Sequence, residues 1–237
     1  MAAIALCLCT MERELFGTLE DDESFRQKAS YVARLGSGSA CRSVYPTMAI
    51  WGQTPAHELA SDEYAVPFIN NLHPIFKTYH DSILIASRGE KKVSSTAGHA
   101  LMDGNIFAQN RYAQANQRFT DLLDILRTGD LNAFGKIAEN EALTLHALMM
   151  TADASYILMR PATLSLIEKV QSYREATKQP LYFTLDAGPN LHLLYPNEIR
   201  SDVKQFIEAE LVPFCENGEW IDDCVGDGPE LLAGLDG

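Results

Sequence analysis

Basic residues are scarce in this chain of 237 residues, which has 19 lysines and arginines against 32 aspartates and glutamates. The formal net charge is therefore −13. Because nonspecific binding to nucleic acid needs a basic surface, this balance argues against that class of partner. An anionic ligand would need a site that concentrates positive charge locally.

Long apolar runs are also missing, since no segment approaches the roughly 18–20 apolar residues that span a membrane. The apolar opening, residues 1–9, has no basic residue before it, and an acidic stretch follows quickly. This pattern predicts a core helix rather than a signal peptide. The sequence thus predicts a cytoplasmic protein with no membrane partner.

Cysteine is sparse and odd in number, which excludes a disulfide framework as the basis of the fold. The thiols are Cys7, Cys9, Cys41, Cys215 and Cys224. Cys7 and Cys9 point to different sides of a helix, and no histidine pair has metal-ligand spacing. We therefore predict buried, reduced thiols and no metal site. His99 and His146 are assigned structural or surface roles.

Apolar residues make up 46% of the chain and charged residues 22%, as in ordinary globular proteins. Periodicity predicts helices at 2–17, 22–34, 162–178 and 197–210, and on both sides of Gly129-Asp130. Short apolar runs predict strands at 46–51, 82–87, 181–185 and 191–195. The mixture predicts an α+β fold in which helices pack on an antiparallel sheet.

The segment Gly36-Ser37-Gly38-Ser39-Ala40-Cys41-Arg42-Ser43 could bind an anion. Its glycines allow close backbone approach, its serines offer hydroxyl donors, and Arg42 has a planar fork that suits carboxylate or phosphate. A flexible loop with an incidental arginine is the alternative, and composition alone leaves both readings open.

A second basic cluster comprises Arg88, Lys91 and Lys92, directly before a Ser-Ser-Thr run at 94–96. It could help to hold a phosphate, or it could be a solvated turn followed by a helix cap.

Asp186 ends an apolar strand immediately before the turn Gly188-Pro189-Asn190. A carboxylate held rigidly and partly buried there would suit acid–base chemistry. The alternative is an aspartate that bonds the backbone of its own turn.

Together these segments resemble the diphosphomevalonate decarboxylase family of the GHMP kinase superfamily. Residues 33–43 are similar to that family's most characteristic motif, and residues 93–98 and 185–190 match two further motifs in the same order. The resemblance extends from Met1 to about Pro229. It implies a GHMP-kinase-like two-layer fold.

The resemblance also implies a reaction, the ATP-dependent decarboxylation of mevalonate 5-diphosphate to isopentenyl diphosphate. In it the 3-hydroxyl is phosphorylated, and phosphate and carbon dioxide are then lost. Asp186 is implied to be the base or orienting carboxylate, and ATP and Mg²⁺ are the implied cofactors. The residues implied to bind the diphosphate substrate are Ser37, Ser39, Arg42, Ser94 and Ser95.

The sequence departs from the family pattern in three ways. The family's Lys-Tyr-Trp-Gly-Lys-like motif and its Gly/Ser-rich ATP loop do not occur, so we expect a shortened relative with little or no turnover of its own. His99 replaces a methionine that is usual after the preceding glycine. Residues 154–158 lack the two prolines expected there.

The expected organisation is the remnant of an N-terminal domain at 1–75, a C-terminal domain at 76–230 and a flexible acidic tail at 231–237. Missing strands would expose apolar faces of residues 2–17, which a homodimer could bury. Two other functions remain as alternatives, a small-molecule kinase of the same superfamily that does not decarboxylate, and a noncatalytic binding or assembly domain.

Overall fold

A computed structural model of the protein describes residues 1–89 and 104–230. The described residues divide into two compact units, the first formed by residues 1–72 and 225–230 and the second by residues 73–89 and 104–224. The first boundary lies near the expected one at residue 75. The assignment of these units to two domains of a longer protein stays a prediction, and the expected tail at 231–237 lies outside the described residues.

In the first unit, helices α1 (Ala2–Phe16) and α2 (Asp22–Gly36) pack through small residues. The side chain of Asp21 caps α2 by accepting a hydrogen bond from the Ser24 amide at 2.7 Å. A two-residue strand, β1 (Ala49–Ile50), pairs antiparallel with β2 (Val66–Pro67). The buried residues shared by this unit are Ala5, Cys9, Ala29, Ala33 and Val44.

The second unit is built on a four-stranded sheet. Its strands are β3 (His80–Leu84), β4 (Tyr182–Leu185), β5 (Leu191–Tyr195) and β6 (Trp220–Cys224). Their spatial order is β4-β5-β3-β6, and every neighbouring pair is antiparallel.

Helices cover this sheet, which confirms the predicted α+β arrangement. Helix α3 (Ala108–Thr128) packs on α4 (Leu131–Thr151). The helices on the sheet are α4, α5 (Pro161–Thr177) and α6 (Arg200–Phe206), the last continued by a π-helical turn at Ile207–Leu211. Buried residues of α5, α6 and the π turn pack on strands β3, β4 and β5 as one core. Within the described ranges, no helix is both long and apolar enough to cross a membrane.

Three local predictions are wrong. Residues Gly38–Val44 form a 3-10 helix rather than a loop. Strand β6 was not predicted, because its exposed acidic residues hide the pattern of an edge strand that pairs with β3. Cys7 and Cys224 are exposed rather than buried, although all five thiols are free.

Helix α4 lies unusually close to strand β4 at Gly135. A Cβ atom added there would come within 2.0 Å of the Tyr182 ring, so only glycine fits. The Tyr182 hydroxyl also donates to Asn132 Oδ1 at 2.8 Å, one turn earlier on the same helix. This contact fixes where α4 meets the strand.

Replacing Gly135 by alanine is therefore expected to destabilise the protein. Overpacking costs about 1–3 kcal/mol, against roughly 1 kcal/mol gained from the better helix propensity of alanine. Because a contact of 2.0 Å lies far inside van der Waals distance, the cost should fall in the upper part of that range, and we expect a net loss of about 1–2 kcal/mol, measured by urea unfolding. The matched control is Lys136→Ala, an exposed position on the same helix that should change stability by less than about 0.5 kcal/mol. A Gly135→Ala protein as stable as the parent would contradict the close approach.

Candidate active site

The anion-suited segment of the first unit lines a cavity of about 660 Å³. Ser39, Arg42 and Ser43 come from the 3-10 helix that follows α2, and Thr47 and Ala49 come from the segment after it. A buried hydrogen bond attaches the 3-10 helix to α2, since the Ser30 hydroxyl on α2 donates to the Cys41 carbonyl at 2.8 Å. The cavity therefore has a fixed wall rather than a flexible one.

Arg42 supplies the positive charge of this cavity. Its side chain is exposed, and among the described residues it makes no recorded ion pair or hydrogen bond. Its guanidinium fork thus keeps its N–H donors available for an anion. Tyr45 lines the same cavity, and burial raises the pKa of its phenol to about 12, so it stays a neutral donor.

Ser37 has a different place from Ser39. It ends α2 and begins the 3-10 helix, where its carbonyl accepts from the Ala40 amide at 3.0 Å. Of the predicted serines in the described part of the chain, Ser39 lines the cavity and Ser37 does not. Ser94 and Ser95, with His99, lie outside the described residues.

Two glycines near the C-terminus, which were not among the predicted site residues, also line the cavity, at Gly226 and Gly228. The Gly226 carbonyl accepts from the Thr47 amide at 2.9 Å. Gly228 has φ +91°, and a Cβ atom there would lie 3.0 Å from the Pro46 nitrogen, so the close approach favours glycine. Alternation of Gly with other residues at 226–229 was the available signal.

In the second unit, Asp186 follows β4 directly, as predicted. Its side chain is exposed, so the expectation of partial burial is wrong. Its carbonyl accepts from the Gly188 amide at 2.8 Å, which closes a tight turn. The carboxylate therefore projects from a turn that begins at the end of a buried strand.

Two side chains and one backbone amide from other segments hold this turn. His146 on α4 donates from Nε2 to the Asp186 carbonyl at 3.0 Å. Thr163 on α5 donates to the Pro189 carbonyl at 2.6 Å. Asn190 Oδ1 accepts from the Ser87 amide, just past β3, at 3.1 Å. Sequence reasoning assigned His146 no specific partner and missed Thr163, because neither contact is local in the chain.

The second basic cluster does not offer a free cation at its described end. The Arg88 guanidinium pairs with the Glu219 carboxylate, and its backbone amide donates to Glu216 at 2.7 Å. Arg88 is therefore engaged within its own unit rather than held ready for a phosphate. Lys91 and Lys92 lie outside the described residues.

Among residues 1–89 and 104–230, no group of three histidine, cysteine or acidic side chains is placed to hold a metal ion. The described side chains therefore do not build a metal centre by themselves. A Mg²⁺ ion that enters with substrate phosphates needs only one or two protein carboxylates, so its ligands cannot be read from this part of the chain.

A partly buried electrostatic pair lies beside the Asp186 turn. His192 on β5 places Nδ1 at 3.0 Å from both carboxylate oxygens of Asp81 on β3. The hydrogen bond to Asp81 raises the pKa of His192, and burial opposes it. The pKa of His146 shifts the other way, because burial lowers it more than the Asp186 carbonyl and charge raise it.

The fold is that of a known class of decarboxylase structures. The solved complex described as MDDEF with MVAPP, AMPPCP and magnesium aligns with a TM-score of 0.78 and 25% identity. The alignment covers 98% of this chain and 67% of that one. The two-layer α+β fold implied by the sequence motifs is thereby confirmed.

Two family profiles match the sequence as well. The mevalonate 5-diphosphate decarboxylase C-terminal domain matches residues 82–230, and the diphosphomevalonate decarboxylase-like N-terminal domain matches residues 1–65. The first match alone covers more than half of the chain, which therefore belongs to the mevalonate 5-diphosphate decarboxylase family. The resemblance inferred from the motifs is confirmed.

Curated relatives agree with this assignment. A diphosphomevalonate decarboxylase of Ganoderma lucidum is 27% identical over 197 residues, which cover 79% of this chain and 48% of the relative. A phosphomevalonate decarboxylase of Haloferax volcanii is 26% identical over 174 residues, which cover 73% and 51%. The chain thus spans about half the length of the curated relatives it matches.

The His192–Asp81 pair predicts a pH-dependent contribution to stability. A raised pKa means that the folded protein holds the proton more tightly than the unfolded chain, whose histidine titrates near the ordinary value of 6.5. The pair should therefore stabilise fully below pH 6.5 and lose that effect as pH rises through the raised value. Because the pair is partly exposed, we expect less than about 1 kcal/mol.

The measurement is urea unfolding of the parent and His192→Gln proteins at pH 5.5, 7 and 8.5. The difference between the two proteins should be largest at the lowest pH and should shrink as pH rises. Taking the difference removes the opposite contribution of His146, which both proteins share. A difference that grows with pH would contradict the assignment.

Proposed function

We propose that this chain carries substrate-binding and catalytic parts of an ATP-dependent decarboxylase that acts on mevalonate 5-diphosphate. The observation that carries the proposal is the cavity of the first unit, where an arginine without a described partner lies beside Ser39. Such a site suits a small molecule with a diphosphate and a carboxylate. Family membership supplies the choice of substrate.

In this proposal each residue has one task. Arg42 and Ser39 bind the anionic groups of the substrate, with Ser37, Ser94 and Ser95 as further candidate ligands. The Asp186 carboxylate accepts the proton of the 3-hydroxyl while that oxygen attacks the γ-phosphorus of ATP and ADP leaves. The original C3–O bond then breaks as phosphate departs with its electron pair, and the bond to the carboxylate breaks as carbon dioxide departs. The electron pair of that second bond becomes the double bond of isopentenyl diphosphate.

ATP and Mg²⁺ belong to the proposal because the aligned complex contains AMPPCP and magnesium. The described residues form no metal centre, so we assign no step of the reaction to the metal. The family's ATP loop does not occur in this sequence. We therefore propose that the chain alone binds ATP weakly and has little or no turnover.

The proposed setting is the cytoplasm, with neither nucleic acid nor a membrane as partner. Five free thiols fit a reducing compartment. A net charge of −13 disfavours binding to nucleic acid and to anionic lipid surfaces.

A second candidate substrate is mevalonate 5-phosphate, because one relative is a phosphomevalonate decarboxylase. A kinase that does not decarboxylate and a noncatalytic binding module are the further alternatives. The relative affinity of the cavity for the diphosphate and the monophosphate distinguishes the two decarboxylase substrates. The absence of any binding would favour an assembly role.

Calorimetric titration of the full 237-residue chain tests the proposal. We expect saturable binding of mevalonate 5-diphosphate that is tighter than binding of the monophosphate, and no binding of ATP at micromolar concentrations. Arg42→Gln should weaken diphosphate binding by about tenfold, the usual size of one lost charge-assisted contact.

The matched control is Arg34→Gln, which removes the same charge from α2. Arg34 donates to the Glu63 carbonyl at 2.7 Å and does not line the cavity, so its loss should leave the affinity within about twofold. Equal affinity of the Arg42→Gln and parent proteins would refute the assignment of the site. Micromolar binding of ATP would refute the claim about the nucleotide.

We further propose that the chain is a homodimer joined through α1. Four apolar side chains on one face of this helix are more than half exposed, at Ile4, Leu8, Met11 and Leu15. Their spacing of four, three and four residues is that of a coiled-coil seam, which a second copy of the same helix can fill. An exposed apolar stripe of this kind is otherwise costly in water.

Sedimentation equilibrium tests this association. The parent protein should have twice the chain mass of 26.2 kDa, whereas Leu8→Glu should be monomeric because it places a charge in the seam. Ala3→Glu is the control, since it adds the same charge at an exposed position about 120° around α1. Even a weak dimer, with a dissociation constant of about 100 μM, is detectable at that concentration of chain. A parent protein that has the mass of a monomer at about 100 μM would therefore refute the homodimer.

A further inference from the structure

His146 is a buried ionisable group that the proposed mechanism does not use. It lies on α4 with 1% of its surface exposed. Burial of an imidazole away from water is unfavourable unless its polar atoms find partners. Its recorded partner is the backbone carbonyl of Asp186, at 3.0 Å from Nε2.

This contact defines the state of the imidazole. A carbonyl oxygen only accepts hydrogen bonds, so the proton must be on Nε2 and the ring donates. Several other amino-acid types, leucine among them, would fill a similar volume without supplying a hydrogen-bond donor. A histidine in this place is thus explained by what it holds rather than by packing alone.

The position of His146 follows from the alignment of α4 with β4. One face of α4 carries residues at spacings of three and four, and each meets β4 or the residue after it. Asn132 and Gly135 meet Tyr182, and Glu139 Oε1 accepts from the Phe183 amide at 3.3 Å.

His146 continues this face by two more turns. The eleven residues from Gly135 to His146 span about 16 Å of helix, while the four from Tyr182 to Asp186 span about 13 Å of strand. The helix therefore carries the imidazole along β4 to its end. The Nε2–H donor of His146 therefore lies at the point where the chain leaves β4, next to Asp186.

The other two contacts of the turn act further along it. Thr163 holds the Pro189 carbonyl, and Asn190 holds the Ser87 amide. His146, by contrast, bonds the backbone of Asp186 itself. An aspartate has two side-chain torsions, so its carboxylate follows its backbone closely.

We propose that His146 is a positioning residue for Asp186, and that its Nε2–H donor fixes the backbone from which the carboxylate reaches the substrate hydroxyl. The catalytic purpose assigned to His146 rests on the proposed function, whereas its contact with the Asp186 backbone does not depend on that function. Misplacing a reacting group by about 1 Å can cost as much as 100-fold in rate, so a single buried donor has a large effect at this place.

Two variants separate the donor from the volume of the side chain. His146→Gln keeps an amide donor near the position of Nε2, whereas His146→Leu keeps an apolar side chain without a donor. Nuclear magnetic resonance on the full chain reads amide exchange at 186–190 and the carboxylate carbon shift of Asp186. In His146→Leu we expect exchange of the Gly188 amide to rise about tenfold and the carbon shift to move. In His146→Gln both should return to within about twofold of the parent protein.

His80→Leu is the matched control. His80 is also buried in the second unit, where its Nε2 lies 3.0 Å from Oδ1 of Asn197, in the 3-10 turn Asn197–Ile199. Its loss should lower stability without changing the Asp186 signals. An Asp186 response in His80→Leu, or none in His146→Leu, would overturn the inference. A glutamine variant that behaves like the leucine variant would also overturn it.

Two further measurements keep the test decisive. If His146→Leu does not fold, long-range proton–nitrogen spectra of the parent protein still locate the imidazole proton, and a proton on Nδ1 alone would overturn the inference. Titration with mevalonate 5-diphosphate separates the two hypotheses. If the parent protein binds it, His146→Leu should weaken binding by about tenfold and His146→Gln by less than about twofold. No binding by the parent refutes the proposed function, while the resonance data still decide the role of His146.

Discussion

The contact between α4 and β4 is the constraint on which the second unit depends. Gly135 lets the helix backbone come against the Tyr182 ring, and no larger residue fits. Once this distance is set, the helix and the strand advance together, so that residues three and four apart on α4 meet successive positions of β4. The Asp186 turn is thus positioned by a packing contact about four residues away in the strand.

Much of the fold could be predicted because it is recorded in local patterns. Helices α1 and α2 and the break at Gly129 follow from periodicity and capping, which act over a few residues. Strand β6 could not be predicted this way. Its outward residues are acidic, and it is a strand because β3 offers a free edge and because Lys204 and Arg200 neutralise Asp222.

The residues of the candidate site likewise fall into two groups, those with a local sequence pattern and those brought together only by packing. Arg42 and Asp186 could be found from the sequence, because glycine-rich motifs and strand-ending aspartates leave a local signature. The residues that hold them could not. His146 is 40 positions from Asp186, and Thr163 is 26 positions from Pro189. Only the register of helices against the sheet brings such residues together, and a single sequence does not record that register.

The net charge of −13 opposes the approach of the proposed polyanionic substrate, but this repulsion and the contacts of the cavity act over different distances. At physiological ionic strength charges are screened beyond about 8 Å, so the overall field mainly slows the encounter. Many basic side chains in the described part of the chain form ion pairs with nearby acids. Arg111 and Arg118, for example, both pair with Glu141. Arg42 has no such pair among the described residues. In the proposed site its donors meet the anion at hydrogen-bond distance inside a cavity, where a bidentate contact would outweigh the screened repulsion of distant carboxylates.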